Sequence, residues 1–287
     1  MTRYAYVNGR YVNHREASVH VEDRGYQLSD GVYEVVGVRD GRLIDEGPHL
    51  DRLDRSLKEL RIGWPVKRPA LSFIIRELMR RNRLRDGLVY MQVTRGVARR
   101  DHAFPTAKVR PALVLTTKNS KRAESDPGAG IAIKSAPDIR WERCDIKTVA
   151  LLPNVLAKQA ARESGAYEAW LVDEQGCVTE GASTNAWIVT PEGELITRQT
   201  DSGILAGITR STLKGLADSL QLKFVERPFT LVEAKKAKEA FITSATSFVT
   251  PVVKIDGQVV GDGKPGPTAR RLREEYVRFA AQGEQVT

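Results

Sequence analysis

The stretch WERCDIKTVALLPN, residues 141–154, holds Lys147 between Ile146 and the apolar run 149–152. These neighbours predict a partly desolvated lysine, and desolvation disfavours the charged form of an amine. A neutral amine can attack a carbonyl carbon and form a Schiff base. Local context alone favours a simpler interpretation, a solvated lysine at a strand end, because the chain has 45 Lys and Arg residues.

Composition predicts a globular protein with room for a large core. The chain has 287 residues, 41% of them hydrophobic, which is enough for two domains or one large domain. No apolar run reaches the ~18 residues of a membrane span, and the start, MTRYAY, lacks the apolar core of a secretory signal. We therefore expect a cytoplasmic protein with no membrane partner. Cys144 and Cys177 form no zinc or disulfide pattern, so we expect reduced thiols and no metal site.

The net charge of +9 and the pI of about 9.6 raise a second possibility, a basic protein that binds nucleic acid. The basic residues are dispersed, however. Their densest group, residues 76–85, includes Glu77 and is followed by Asp86, which fits the solvated face and end of a helix. We therefore expect no nucleic-acid partner, and a basic binding protein without chemistry remains a remote alternative. The same charge would favour phosphates and carboxylates as ligands.

Two hairpins and two helices are predicted in the first part of the chain. Asn-Gly at 8–9 and Asp-Gly at 40–41 mark the hairpin turns. Apolar residues recur at helical spacing in the two helical segments. The predicted elements are a hairpin within 4–12, a hairpin of 31–38 with 42–44, helices at 48–60 and 69–83, and strands at 88–94 and 112–117. Because these elements do not alternate strictly as βαβ, we expect an α+β unit with a largely antiparallel sheet.

A linker is predicted at 120–130, which is polar and ends in Pro and Gly. It separates an N-terminal domain, 1–119, from a C-terminal domain, 131–287. The C-terminal domain is again mixed. Its predicted helices are 153–163, 209–220, 231–237 and one from Pro267, and its predicted strands are 169–172, 186–190, 194–197, 223–227, 239–243 and 252–255.

Two motifs identify a family that the chain resembles. They are Arg143-Cys-Asp-Ile-Lys147 followed by Leu151-Leu152, and Thr179-Glu-Gly-Ala-Ser-Thr-Asn185. They resemble the lysine segment and the acidic loop of the fold-type IV pyridoxal-phosphate transaminases, and most closely those of the D-amino acid aminotransferases. The resemblance covers nearly the whole chain. It implies two α+β domains of mixed, largely antiparallel sheets with flanking helices, a pyridoxal 5'-phosphate cofactor and a homodimer.

The resemblance assigns the cofactor to residues in both halves of the chain. Lys147 would bond the cofactor and move the substrate's proton, and Glu180 would pair with the pyridinium nitrogen. The remaining cofactor-binding residues implied are Arg52, Ile208, Thr209, Ser244 and Ala245 at the phosphate, and Leu205 against one face of the ring. An arginine fork and a helix start both suit phosphate. Without the resemblance, Arg52 would be interpreted as an exposed charge on a helix, and Ile208 and Thr209 as an ordinary helix start. Glu180 would be interpreted as a hairpin-loop carboxylate, and Leu205 as a core leucine.

Three residues are implied at the substrate. Tyr33 lies in a Gly-Val-Tyr-Glu segment, and Arg100 and His102 lie in Arg99-Arg-Asp-His-Ala-Phe-Pro105. In the family these groups bind the substrate α-carboxylate, and the arginine and histidine come from the partner subunit. A guanidinium can hold a carboxylate through two hydrogen bonds, which fixes the Cα face that meets the lysine.

The resemblance implies a ping-pong transamination between a D-amino acid, D-alanine or D-glutamate, and a 2-oxo acid, 2-oxoglutarate or pyruvate. The alternatives within the fold are a branched-chain L-amino acid transaminase and an aminodeoxychorismate lyase, and Arg100 and His102 argue against both. The sequence departs from the family at Ala182 and Ala245, where relatives often carry a hydroxyl residue near the cofactor. Each lost neutral hydrogen bond would weaken cofactor retention by on the order of a kcal/mol. We expect the reaction to be unchanged.

Overall fold

The computed structural model describes residues 3–120 and 128–282. They form two compact units, the first made of residues up to 120 and 146–150, and the second of 128–145 and 151–282. Most of the predicted linker, residues 121–127, lies outside the described residues. The domain boundary at 120–130 therefore stays a prediction.

The segment 146–150 differs from the predicted division, which put it in the C-terminal domain. It belongs to the first unit because its backbone is bonded to residues 31–33. Tyr33 N donates to Lys147 O at 3.0 Å, and Val149 N donates to Gly31 O at 3.1 Å. Sequence distance gave no sign of this pairing.

The first unit is built on an antiparallel sheet of six strands in the order β2-β1-β6-β5-β3-β4. Both predicted hairpins are confirmed, and their turns use the left-handed backbone that Asn, Asp and Gly tolerate. The elements are β1 (Tyr4–Val7), β2 (Arg10–Asn13), α1 (Arg24–Leu28), β3 (Gly31–Arg39), β4 (Arg42–Leu43), α2 (Glu46–Glu59), α3 (Arg68–Asn82), β5 (Gly87–Thr94) and β6 (Ala112–Asn119).

Two amphipathic helices cover this sheet, as predicted. α2 packs on β3, and α3 packs on β1 and β6. Leu50, Leu53 and Leu57 are buried at helical spacing, whereas Leu60, just after α2, is only partly buried. Each fully buried leucine contributes about 1.5–3 kcal/mol of transfer free energy, so this core holds β3 firmly in place.

The second unit contains a mixed sheet of nine strands. Its order is β12-β11-β10-β13-β14-β7-β8-β9, with β15 paired to β14, and β7 is parallel to both of its neighbours. The elements are β7 (Ile131–Pro137), α4 (Leu152–Glu163), β8 (Glu168–Val172), β9 (Val178–Gly181), β10 (Asn185–Val189), β11 (Leu195–Thr197), α5 (Ile208–Ser219), β12 (Phe224–Glu226), α6 (Leu231–Lys236), β13 (Glu239–Ser244), β14 (Phe248–Ile255), β15 (Gln258–Val259) and α7 (Pro267–Gln282). The predicted α+β class with mixed sheets and flanking helices is confirmed.

Three elements that bear on function were missed. α1 has five residues, too few to show a helical period, and begins where the Asp23 side chain accepts a hydrogen bond from Gly25 N. β7 pairs only with strands distant in sequence. β9 carries Glu180, for which the sequence without the family resemblance predicts a hairpin loop.

Among the described residues, no helix is both long and apolar enough to cross a membrane.

Candidate active site

Lys147 lies against Tyr33 in the first unit. Lys147 Nζ donates a hydrogen bond to the Tyr33 hydroxyl at 3.2 Å and is 4.3 Å from the centroid of the same ring. The lysine is half-buried, in agreement with the predicted partial desolvation. Two residues that the sequence placed 114 positions apart are therefore in direct contact.

The edge of β3 explains why the lysine segment lies there. β4 pairs only with Val38 and Arg39 at the far end of β3, so within the described part of the chain one edge of residues 31–33 has no strand partner. Unpaired backbone groups are costly when buried. The segment around Lys147 satisfies them, and an isolated bridge joins Val32 to Thr148.

The Tyr33 ring is held by a second tyrosine. It stacks on Tyr90 with ring centroids 5.6 Å apart. Burial, and then the neighbouring Tyr33, raise the pKa of Tyr90 to about 12. Tyr90 therefore stays neutral and donates a hydrogen bond to Gln92 Oε1 at 2.7 Å, which fixes the ring on which Tyr33 stacks.

Arg52 binds a buried carboxylate. Its Nε and Nη2 donate to the two oxygens of Glu34 at 2.7 and 2.8 Å, and His49 Nδ1 lies 2.7 Å from Glu34. Burial alone would raise the pKa of Glu34, but Arg52 and then His49 lower it to about 2. Glu34 is thus an anion that orients Arg52. Without the resemblance, Arg52 was interpreted as an exposed charge on a helix, and this interpretation is wrong because its side chain is mostly buried against Glu34.

Arg100 and His102 lie on an exposed loop, residues 97–111, between β5 and β6. The loop and Asn8 line an open cleft of about 930 Å³. Arg100 lines this cleft, and His102 does not. Both side chains are exposed to solvent.

Glu180 is a buried carboxylate in the second unit, at the end of β9. Arg140 Nη1 forms a short ion pair with Glu180 Oε1. Asn185 Nδ2 donates to Oε2 at 3.1 Å, and Leu205 N donates to the same oxygen at 3.2 Å. Leu205 is thus fixed to Glu180 through its backbone.

Sequence reasoning missed Arg140. Besides Glu180, it binds Asp138 Oδ2 at 2.7 Å and the Gly203 carbonyl at 3.0 Å. Burial disfavours its charge, but Asp138 and Glu180 outweigh that effect and raise the pKa of Arg140. Asp138 is two residues away, but Glu180 and Gly203 are 40 and 63 residues away, so the local sequence does not reveal the contact with Glu180.

α5 begins beside Glu180, with Ile208 and Thr209 in its first turn. Its first residue follows Gly207, and no side chain caps it, so Ile208 N and Thr209 N lack a side-chain cap partner. A Cβ at Gly207 would overlap Asn185 Oδ1. The glycine therefore lets this helix start approach Asn185. Asn185 is the last residue of the 179–185 motif, and the resemblance assigned it no role.

Hydroxyl groups line the turn between β13 and β14. Ser244 Oγ lies 2.7 Å from Ser247 Oγ and 3.3 Å from Thr246 Oγ1, and Ala245 occupies the position between Ser244 and Thr246. Asn185 pairs with Thr243 in the sheet, so the start of β10 and the end of β13 lie side by side. The turn is thus next to the strand end that carries Asn185.

The donors and acceptors of the second unit fit the implied cofactor. Uncapped helix N–H groups and a hydroxyl-rich turn suit a phosphate, and a buried carboxylate suits a protonated ring nitrogen. Ala182 lacks the hydroxyl that relatives often carry at this position. Its backbone N–H is already bonded to the Ala169 carbonyl at 3.0 Å, so it does not replace that hydroxyl as a donor to the cofactor. Among the described residues, no group of three or more His, Cys, Asp or Glu side chains could hold a metal ion.

Comparison with known proteins identifies the family. Residues 31–255 match the model of amino-transferase class IV. The chain belongs to this family. The matched residues include Tyr33, Arg52, Lys147 and Glu180.

Individual class IV relatives are similar over nearly the full length. The chain is 40% identical to the D-alanine aminotransferase of Staphylococcus haemolyticus over 275 residues, 96% of each chain. It is 40% identical to that of Bacillus licheniformis over 266 residues, 93% of each. Among solved structures, the branched-chain amino acid aminotransferase of Thermobaculum terrenum in its PLP-bound holo form has a TM-score of 0.83 at 25% identity, covering 98% of this chain and 94% of that one. The predicted fold-type IV architecture is confirmed.

Proposed function

We propose that this chain is a pyridoxal 5'-phosphate-dependent transaminase that moves an amino group between a D-amino acid and a 2-oxo acid. One observation carries the proposal. A half-buried lysine, Lys147, contacts Tyr33 in a class IV chain that is 40% identical, over 96% of its length, to a D-alanine aminotransferase. We propose D-alanine or D-glutamate as donor and 2-oxoglutarate or pyruvate as acceptor.

Lys147 has two roles in this proposal. When bound, pyridoxal 5'-phosphate supplies an aldehyde that bonds to amines and a ring that accepts electrons from the substrate Cα. Lys147 Nζ would hold the cofactor between turnovers, and it would be the base that moves the proton between the substrate Cα and the cofactor carbon. The hydrogen bond to the Tyr33 hydroxyl orients the amine for this transfer.

Glu180 is the proposed partner of the ring nitrogen. Its carboxylate, held by Asn185 and Leu205 N, would keep a proton on that nitrogen by direct charge interaction. Arg140 and Asn185 hold the carboxylate in one orientation. Leu205, fixed through its backbone, is the proposed apolar neighbour of the ring.

The proposed phosphate ligands are Arg52, Ile208, Thr209, Ser244 and Ala245. Their support is chemical. Arg52 is a guanidinium oriented by Glu34, and the start of α5 offers N–H groups and the positive end of a helix dipole.

Arg100 and His102 are the proposed carboxylate ligands, together with Tyr33. We propose that the chain forms a homodimer and that these two residues act in the partner's site. Their exposure on the 97–111 loop supports this proposal. The predicted cytoplasmic location stays a prediction.

A spectrum and a donor assay test the proposal. The purified protein should show a visible absorbance band that sodium borohydride abolishes, and D-alanine with 2-oxoglutarate should give turnover. Absence of the band would overturn the enzyme class. Turnover of L-leucine and none of D-alanine would replace the D-amino acid proposal with the branched-chain alternative, whose solved structures share the fold.

A further inference from the structure

Two arginines of the first unit share one carboxylate beneath the 97–111 loop. Arg24 Nε donates to Asp30 Oδ2 at 2.8 Å, and Arg95 Nε donates to the same oxygen at 2.7 Å. Arg95 Nη2 donates to Asp30 Oδ1 at 3.0 Å. We call these three residues the Asp30 cluster. The resemblance to the family assigned none of them a role.

The Asp30 cluster is buried and bonded to rigid neighbours. Arg24 is 2% exposed and Arg95 is 8% exposed. Arg95 also donates to the carbonyls of Leu60 and Arg61, at 2.7 and 3.1 Å. Burying a guanidinium is costly unless its donors are satisfied, and these bonds satisfy them. The cluster is therefore a fixed base and has little freedom to move.

Both arginines also reach the loop itself. Arg24 Nη1 donates to the Asp101 carbonyl at 2.6 Å, and Asp101 lies between Arg100 and His102 in sequence. The Arg95 guanidinium lies 3.8 Å from the centroid of the Phe104 ring. The Phe104 ring is 51% exposed, so no core packing accounts for its position. The cluster thus holds the backbone between the two proposed carboxylate ligands and a ring that follows them.

The base of the loop is attached to the same region. Arg24 N donates to the Gly96 carbonyl at 2.9 Å, and Arg95 N donates to the Asp30 carbonyl at 3.0 Å. Gly25 lies so close to the Thr94 side chain that any Cβ would overlap it. The backbone around Asp30 and the start of the loop therefore form one tightly packed piece.

We propose that the Asp30 cluster positions the loop that presents Arg100 and His102, acting through the Asp101 carbonyl and the Phe104 ring. These are positioning residues, because none of them needs to touch the substrate. The proposal rests on the proposed function only in so far as the loop binds a substrate carboxylate. Its claim about loop order stands on the contacts alone.

A kinetic test uses Phe104, whose exposure means that its substitution removes little buried area. Phe104→Leu removes the aromatic face over Arg95. We expect KM for D-alanine to rise about 3- to 10-fold with kcat little changed. The kcat/KM for D-alaninol, in which a hydroxymethyl group replaces the carboxylate, should stay within about twofold of wild type. Phe104→Tyr restores the ring and should restore KM.

A matched control comes from Tyr167 in the second unit. It is 54% exposed, and the centroid of its ring lies 4.8 Å from Lys158 Nζ, so Tyr167→Leu removes a similar exposed aromatic contact with a cation. In this variant, KM for D-alanine and kcat/KM for D-alaninol should both equal the wild-type values. Equal losses toward D-alanine and D-alaninol in Phe104→Leu would overturn the positioning role.

Trypsin gives a measure of loop order that needs no activity. Digestion takes place under native conditions, and mass spectrometry follows its course. Cleavage after Arg99 and Arg100 should be several-fold faster in Phe104→Leu and in Arg24→Lys than in wild type. Arg24→Lys keeps the buried charge, but a single ammonium group cannot reproduce the separate bonds that Nε and Nη1 make to Asp30 and the Asp101 carbonyl. Tyr167→Leu should be cleaved at the wild-type rate.

The two measurements separate two kinds of failure. If wild type uses neither D-alanine nor D-glutamate, the proposed function fails, and the cleavage rates still decide whether the cluster orders the loop. Cleavage rates equal to wild type in both variants would overturn the inference, whatever the enzyme's substrate.

Discussion

A lysine amine becomes a selective nucleophile through its surroundings. The surroundings of Lys147, the proposed nucleophile, are the Tyr33 hydroxyl and a half-buried backbone segment bonded to β3. The two lysines nearest to Lys147 in the sequence have different partners. Lys134 lies 3.5 Å from Asp256, and Lys158 lies 3.1 Å from Glu168. Ion pairs of this kind occupy the amine.

Lys147→Ala should abolish transamination and leave the fold intact, since it removes the amine and little buried area. Loss of the nucleophile and the base together should be close to complete. Turnover of D-alanine without added amine measures this, and circular dichroism checks the fold. Lys134→Ala is the control and should retain activity, because Asp256 keeps Lys235 as a partner at 2.8 Å. More than a few percent of residual turnover in Lys147→Ala would move the role to another lysine.

Glu180→Gln should keep the covalently bound cofactor and slow proton abstraction. An uncharged amide no longer holds the ring nitrogen protonated, although its shape is preserved. Single-turnover rates with D-alanine measure the effect. Asp138→Asn is the control for the loss of a charged partner of Arg140, because Asp138 binds Arg140 and has no proposed contact with the cofactor. An unaltered rate in Glu180→Gln would remove Glu180 from the mechanism.

Glu34 should make stability depend on pH in the acid range. Its pKa is about 2 in the folded protein against 4.5 for the free side chain. The carboxylate therefore stabilises the fold fully above pH 4.5, and this contribution falls as the pH drops towards 2. The difference in unfolding free energy between wild type and Glu34→Gln should narrow by about 2 kcal/mol between pH 7 and pH 3. Urea unfolding at both pH values measures it. A difference between wild type and Glu34→Gln that stays constant between the two pH values would contradict this expectation.

At the scale of elements, the last helix supports the hydroxyl-rich turn. Arg273 Nη1 of α7 donates to the carbonyls of Ser247 and Val249 at 2.9 and 2.6 Å. The Phe248 ring packs on Tyr276 of α7 with centroids 5.1 Å apart. Phe248 has a φ of 59°, a left-handed conformation that costs a bulky residue about 1 kcal/mol or more. Packing on α7 offsets this cost.

Phe248→Gly should test that balance. Glycine relieves the backbone strain, but loss of the buried ring should cost more, so we expect a net destabilisation of about 2–4 kcal/mol. Urea unfolding measures it. Gln221→Gly is the control, since Gln221 is exposed and has a φ of 54°. That variant should be neutral or slightly stabilising. A Phe248→Gly protein more stable than wild type would show that strain outweighs packing on α7.

At the scale of the whole molecule, the proposed dimer makes a prediction about shared sites. Arg100→Ala should leave the cofactor spectrum unchanged and reduce kcat/KM for D-alanine by roughly 2 to 4 kcal/mol, about 30-fold to 1000-fold. Turnover of D-alaninol should hardly change. If Arg100 acts in the partner's site, mixing Arg100→Ala chains with Lys147→Ala chains creates dimers with one intact site, and activity reappears. Equal losses toward both amines would mean that Arg100 serves the fold.

Family membership also decides the meaning of the net charge of +9. Charge alone left open a basic binding protein without chemistry. The chain is an enzyme of the class IV family, and its basic residues are consistent with anionic substrates.

The sequence by itself determined the features that depend on neighbours in the chain. Turn chemistry at 8–9 and 40–41 specified both hairpins, and helical spacing of apolar residues specified α2 and α3. The motif around Lys147 indicated the family only through its resemblance to known sequences, since its local context alone favoured a solvated lysine.

Only the tertiary structure decided which distant groups meet. It joined 146–150 to the free edge of β3, put Glu180 in a strand beside Arg140, and gathered Arg24 and Arg95 around Asp30. No local pattern could predict these contacts. The physical reason is that a buried charge needs a partner to offset its desolvation, and that partner is set by how the strands pack in space, whatever the distance along the chain.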